Sequence, residues 1–555
     1  MFKNLSGSVF YKKIPNQYNL FFLTAILLSG CGGKESPSEV SEVQRPNILW
    51  VVCEDQSPEF FPMYGDSTVR LPALEKLADQ SILFQNAYSP APVCAPARSS
   101  IITGMYPITL GTHNMRCYTP WNPQNQPEIG VQSYSPVVPE GVRPFTQYLR
   151  EAGYYCTNNS KEDYNFATPP AAWDESSDSA TWRNRKEGQP FFSVFNFTVT
   201  HESRIWVNGN EPLSVDPAKI NVPPYFPDDP VTRHDMAVNY SNLARMDQQV
   251  GELLQNLEDD GLLDNTIIFF YSDHGGPFPR HKRALYETGL KVPLFVKFPD
   301  SEDFSIRNEL VSFIDFAPTV LSLAGIEPPE HMQGKAFFGE YHSETNREYL
   351  YAASDRFDES YDRLRSVRSE RFKYIKNYYP EKPYALSISY RMNMPLMQHL
   401  MELSQNNQLG EYERLWMATG KPEEEFYDLM NDPYELENLA GNPEYEEEIN
   451  RHREILEIWI NDVNDLGRFN ELELMEEWLV DGKSQKLPTP QLEIVYEDSL
   501  KVNAAPYDAT IVWRSKESKA WNIYSQPIHM DPDMDIQIKV SRIGYEESDV
   551  VTFQN

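Results

Sequence analysis

Three stretches of this chain are apolar almost without a break: 47–53 (NILWVVC), 190–198 (PFFSVFNFT) and 266–271 (TIIFFY). A run of that length with no polar alternation predicts a strand buried on both faces, as in a parallel sheet covered by helices on each side. Between them the period changes. Segments 71–78, with Pro72 at its start, 144–152 and 236–258 carry apolar residues at helical spacing, while 81–88, 154–157 and 292–298 read as further strands. This alternation predicts an α/β sandwich with a mostly parallel central sheet. An amphipathic helix is expected over 311–325, a small sheet over 349–379, a strand at 424–429 and a charged helix at 445–466. The Pro-rich stretch 486–490 marks a linker, and the alternating runs of 491–555 predict a small β-sandwich.

The strand ends carry the chemistry. Run 47–53 stops at Glu54-Asp55, run 190–198 leads to His201, and run 266–271 stops at Ser272-Asp273-His274-Gly275. Parallel strands deliver their C-terminal ends to one rim, where open α/β sheets place their ligands. Carboxylates of Glu54, Asp55 and Asp273 with the imidazole of His274 form a hard-cation constellation, which the strand-end position favours over solvated turns. His201 gains weight from its place in this series.

Cys94 stands in Pro92-Val93-Cys94-Ala95-Pro96-Ala97-Arg98, followed by Thr103-Gly104. The Pro- and Ala-rich turn predicts a presented thiol, with the Arg98 guanidinium one helical turn away as an anion binder. Arg280, Lys282 and Arg283 make a local basic cluster that suits an anionic ligand. His113 and Arg116 follow the Cys94 segment closely and face either substrate or a structural loop. Arg363, Arg365, Arg368, Arg371 and Lys373, interleaved with tyrosines, would suit a sugar or uronate.

Composition changes the picture in two ways. In 555 residues, 49 basic against 82 acidic side chains leave a net charge of −33, which argues against nucleic acid and anionic membrane surfaces as partners. The N-terminus combines Lys3, Lys12 and Lys13 with an apolar run at 20–28 and Leu28-Ser29-Gly30-Cys31. That pattern is an export signal, and it resembles a bacterial lipoprotein signal, which implies a lipidated Cys31, a tether over 31–45 and a cell-envelope location facing the periplasm or the outer-membrane surface. After Cys31 only Cys53, Cys94, Cys117 and Cys156 remain, too few for a disulfide framework; one bridge such as Cys117 to Cys156 stays open.

Taken together, Cys94-Ala95-Pro96-Ala97-Arg98 with Thr103-Gly104, Glu54-Asp55, Asn159-Ser160-Lys161, Ser272-Asp273-His274-Gly275, the 282–289 stretch and Phe426-Tyr427-Asp428-Leu429 resemble the type I sulfatases. The resemblance spans roughly residues 46–480. It implies an alkaline-phosphatase-like catalytic domain over 46–345, a smaller C-terminal α+β subdomain over 346–485 and a terminal extension over 486–555, behind a signal peptide at 1–30. It further implies that Cys94 is converted to formylglycine by a formylglycine-generating or anaerobic maturation enzyme, and that calcium is held by Glu54, Asp55, Asp273, His274 and the modified side chain at 94. Arg98, Lys161, His201 and Lys282 would surround the sulfate, with His201 or Asp163 protonating the leaving alcohol. The family usually has two aspartates at 54–55 and often asparagine at 274; here Lys161 is followed by Asp163 where a histidine is common. The substrate implied is a sulfated polysaccharide or its oligosaccharides, an algal polymer such as ulvan being favoured. A glycosaminoglycan O- or N-sulfatase, a phosphoesterase of the same fold and a non-catalytic glycan-binding lipoprotein are the competing readings.

Overall fold

The computed structural model describes residues 45–119, 131–299, 301–495, 499–504, 506, 508–531 and 534–554. The signal peptide, Cys31 and the tether through residue 44 lie outside them. Among the described residues no helix is long and apolar enough to cross a membrane.

The three apolar runs become neighbouring strands. β1 (Asn47–Cys53) lies between β5 (Phe191–Phe197) and β6 (Thr266–Ser272), parallel to both, with Cys53 opposite Phe197 and Ser272. All seven residues of β1 are buried, which explains its unbroken hydrophobicity. With β2 (Ile82–Tyr88), β3 (Tyr155–Asn159), β4 (Glu175–Ser176), β7 (Lys291–Lys297) and β8 (Ile306–Ser312) they form an eight-stranded sheet in the order β4-β3-β5-β1-β6-β7-β2-β8. Only β7 runs antiparallel to its neighbours, so the sheet is mixed but mostly parallel.

Each face of the sheet has its own apolar core. On one, Trp50 packs against Phe145 and Phe192 beneath the helices Cys94–Thr103, Phe145–Glu151 and Phe316–Leu323. On the other, Leu49, Val51 and Phe270 pack against Leu243, Met246 and Val250 of the helix Pro230–Asp259. That helix starts six residues before the expected 236, because Asp229 caps it, accepting from Val231 N–H and Thr232 N–H, and Pro230 occupies the first turn. The helix expected over 311–325 needs correction. Its beginning is spent on β8, which pairs with β2, and a capping box between Ser312 and Asp315 restarts the chain as a short 3-10 turn and then the helix Phe316–Leu323.

A second, antiparallel sheet follows, formed by β9 (Leu350–Ser354), β10 (Leu364–Arg368), β11 (Phe372–Asn377) and β12 (Glu424–Asp428) in the order β12-β11-β10-β9. The helix Glu446–Asp462 covers it through Leu456, Trp459 and Ile460. The helices Pro395–Gln405 and Glu411–Trp416 were not legible as elements in the sequence. At the C-terminus two small antiparallel sheets enclose Leu500, Val502, Ile528, Ile536 and Ile538.

Candidate active site

Because β1, β5 and β6 are adjacent and parallel, Asp55, His201, Asp273 and His274 meet at one rim. The helix Cys94–Thr103 begins at the cysteine itself, so Cys94 and Arg98 share a face one turn apart. All ten of its residues are buried, and Gly104 ends it in the left-handed conformation (φ 72°), where a side chain would be strained and would press on Met332.

The expectation of a presented thiol is corrected. Cys94 is only 1% exposed and shares one apolar cluster with Met115 and with Phe357 and Ile388 from the C-terminal part of the chain. Its Sγ lies 3.3 Å from His274 Nε2 and 3.9 Å from Asp55 Oδ1. Asp55, Cys94, Asp273 and His274 bring one ligand atom each within 4.8 Å of one another. Two carboxylates, an imidazole and a sulfur at that spacing fit a divalent cation in donor type and in room. Glu54 is not in this group. Its Oε1 is 2.7 Å from Lys161 Nζ and 3.5 Å from the Arg98 guanidinium, so it holds two cations in place.

Cations line the rest of the wall. Arg98 donates to Asp273 (3.1 Å) and to the side-chain Oδ1 of Asn196 (2.7 Å). Lys282 donates to both oxygens of Asp55, at 2.8 and 3.0 Å, and stands 3.1 Å from Glu202 and 3.3 Å from His201 Nε2. The His201 Nδ1 is 2.8 Å from Ser203 Oγ. Arg283 grips Glu202 through two hydrogen bonds of 2.8 and 2.9 Å, and the Glu202 backbone N–H donates to Asp55 (2.6 Å).

These contacts move protons. Burial alone pushes the Cys94 thiol up, but Lys161 and Lys282 outweigh it and bring it down to about 6. Burial disfavours a charged His274, yet Asp273, Cys94 and Asp55 raise it to about 10; Asp273, pushed up by burial, is drawn down to about 2 chiefly by His274 and Arg98. Asp163 is also held below the usual carboxylate range, because Arg116, Lys161 and Arg98 override its burial.

The residues expected at the substrate divide. Arg116, Lys161 and Asp163 line one cavity of about 510 Å³ with Tyr118 and Tyr164. His113 lies elsewhere: it is buried, its Nδ1 has no hydrogen-bond partner, and the charges that act on it are Asp355, Arg365, Asp465 and Glu471. Lys282 and Arg283 of the basic cluster reach the site, whereas Arg280 donates to the carbonyls of Tyr434 and Glu435 between the rings of Tyr225 and Tyr286. The arginines of 349–379 are corrected from sugar readers to structural ions: Arg363 and Arg365 pair with Asp465, Arg368 with Glu287 and Arg371 with Asp428. Sequence reasoning missed Asn196 and Glu202. A lone asparagine inside FFSVFNF and an acid directly after His201 were the available signals. The four cysteines after Cys31 are free; Cys117 Sγ–H faces the Asn165 carbonyl at 3.2 Å.

The comparisons agree with this geometry. The sulfatase family model matches residues 46–326, and the model for the C-terminal part of N-sulphoglucosamine sulphohydrolase matches 276–409. An ulvan-active sulfatase of Formosa agariphila is 41% identical over 93% of this chain and 92% of its own length. Human N-sulphoglucosamine sulphohydrolase is 26% identical over 74% of this chain and 89% of its own. Among solved structures, a 2-O GAG sulfatase superimposes with a TM-score of 0.56 at 18% identity, over 76% of this chain and 94% of that one. A protein in complex with D-glucosamine-2-N,6-O-disulfate gives 0.54 at 18% identity, over 76% and 98%. The chain belongs to the sulfatase family and is a sulfuric ester hydrolase.

Proposed function

We propose that the chain hydrolyses sulfate esters on a sulfated polysaccharide or its oligosaccharides, with ulvan as the favoured polymer. The observation that carries the reading is the convergence of Arg98, Lys161 and Lys282 on a buried nucleophile position beside two carboxylates and an imidazole. The 41% identity to an ulvan-active sulfatase over nearly the whole chain supports the choice of polymer.

Cys94 acts after conversion to formylglycine by a maturation enzyme, because a sulfated thiol has no easy route to release, whereas an aldehyde hydrate carries two hydroxyls on one carbon. Asp55, Asp273 and His274 with the side chain at 94 would hold a divalent cation, calcium in this reading, which when bound acidifies a hydroxyl and polarises the sulfate. Arg98, Lys161 and Lys282 neutralise charge on the sulfate oxygens, with Asn196 and Glu54 fixing the first two. Glu202, gripped by Arg283, orients Lys282 toward Asp55. A depressed carboxyl is a poor proton donor, so Asp163 serves as an anionic partner of Arg116 and Lys161, and His201 protonates the leaving alcohol. Lipidation at Cys31 would anchor the enzyme in the cell envelope.

Sulfate release from a panel of desalted sulfated oligosaccharides tests the reading. Turnover of ulvan fragments, abolished by a chelator and restored by calcium, is expected. Release confined to glycosaminoglycan fragments would move the substrate class, and release from none would remove the reading.

A further inference from the structure

At the mouth of the site stands a large ring that the chemistry above leaves unused. Tyr390 is 40% exposed, and its ring centroid is 6.3 Å from that of His201. It packs edge-on against Trp206, 5.3 Å away with an interplanar angle of 76°. Other tyrosines are comparably exposed, Tyr341, Tyr379 and Tyr412 among them, but among the described residues Tyr390 is the one in ring contact with a group of the site.

Its backbone is held in place. The segment 384–394 also supplies Ile388, buried in one apolar cluster with Cys94 and Phe357. Ser389 N–H donates to Glu359 (2.5 Å), Ser360 Oγ–H to the Ser387 carbonyl (2.5 Å) and Asn393 Nδ2–H to the Tyr390 carbonyl (2.9 Å). The neighbouring Arg391 is buried and lies 5.5 Å over the Trp416 ring. An exposed ring on an anchored segment, backed by an indole, is a rigid apolar face with a wet hydroxyl edge, which suits a ligand that is apolar on one side and polar at its rim. A pyranose ring has that character. The location names which ring: the sugar whose oxygen His201 would protonate must lie beside the imidazole, where Tyr390 stands.

We propose that Tyr390, backed by Trp206, is the stacking surface for the pyranose that carries the leaving oxygen, and so selects sulfated glycans over other sulfate esters. The inference rests on the sulfatase reading, with His201 at the leaving group. The test compares a sulfated oligosaccharide with an aryl sulfate of no sugar, 4-methylumbelliferyl sulfate, in the mature enzyme and in Tyr390→Ala and Tyr390→Phe. Tyr390→Ala is expected to lower kcat/KM for the oligosaccharide roughly five- to tenfold more than for the aryl sulfate, mainly through KM, and Tyr390→Phe to keep the parent ratio. Equal losses on both substrates, or Tyr390→Phe as impaired as Tyr390→Ala, would overturn the proposal. Calorimetric titration of the same oligosaccharide into Cys94→Ala, with and without Tyr390→Ala, reads the contact without turnover; equal affinities there would also overturn it. Sulfate release from the oligosaccharide by the parent enzyme reports the sulfatase reading separately, so the two can fail apart.

Discussion

The charges around Cys94 and those that tie the second sheet to the turn after its covering helix are buried alike, yet they are joined differently. In the second network Arg365 donates to Asp355 (2.9 Å) and to both oxygens of Asp465 (2.8 and 3.0 Å), while Arg363 adds a further bond to Asp465 (2.9 Å). Arg365 closes a two-nitrogen fork on Asp465, the geometry that best offsets the desolvation of both partners. Around Cys94 the cations are the single ammonium groups of Lys161 and Lys282 and the Arg98 guanidinium, which spreads its nitrogens over Asp273, Asn196 and Glu54 and closes no two-nitrogen fork on one carboxylate. Lys161 and Lys282 together outweigh burial and hold the Cys94 thiol at about 6, and the Arg98 NH2, which makes no hydrogen bond, stands 3.5 Å from Glu54. A closed network holds elements together; an open one leaves cationic charge directed at a shared volume, where an anion can enter. Burial of charge therefore does not mark function by itself, and His113, on which Asp355, Arg365 and Asp465 act, belongs with the structural set.

Substitutions should separate the two regions, beginning with the largest effect. Cys94→Ala is expected to lower sulfate release roughly a million-fold, to background, with little change in unfolding midpoint; residual turnover above a hundredth of the parent would break the assignment of the nucleophile. Arg365→Leu leaves two buried carboxylates without their shared partner and is expected to cost about 3–5 kcal/mol in denaturant unfolding, with activity per folded molecule retained. A selective loss of kcat instead would erase the distinction between the networks. Lys282→Ala is expected to reduce kcat/KM roughly 100- to 1,000-fold, by analogy with removal of one charge-stabilising donor, with Lys282→Arg partly active; a purely thermodynamic effect would place Lys282 in the structural set.

The smallest effect concerns pH. Burial pushes the Asp465 carboxyl up, but Arg365 and Arg363 outweigh it and hold it well below the usual carboxylate range. A folded-state pKa below the unfolded one gives stability that is fully present above the unfolded value, about 3.9, and is lost as pH falls through the folded value. Unfolding measured between pH 5 and pH 3 should show that acid-side loss, and Asp465→Asn should flatten it. An unchanged slope in Asp465→Asn would mean that other carboxylates carry the acid sensitivity.

How far the sequence reached follows the same division. The sheet was legible because β1, β5 and β6 are apolar along their whole length, and the rim because each ends in residues with ligand chemistry. The partners of those residues were harder to read. Asp55 meets Lys282 across 227 positions and Cys94 meets His274 across 180, and no local periodicity encodes such pairings. Arg363, Arg365, Arg368 and Arg371 misled for a related reason: a run of arginines looks the same whether the carboxylates that answer it come from a ligand or from Asp465, Glu287 and Asp428. The burial of Cys94 was likewise invisible, since Phe357 and Ile388 of its apolar cluster arrive from more than 260 residues downstream.

The central claim is that position 94 works as an aldehyde hydrate within the open network. Mass spectrometry of the peptide containing residue 94, taken from enzyme that actively releases sulfate after co-expression with a maturation enzyme, tests it most directly. A residue mass about 18 Da below that of cysteine is expected, the loss that accompanies oxidation of the thiol carbon to an aldehyde. An intact cysteine thiol in fully active enzyme would contradict the account.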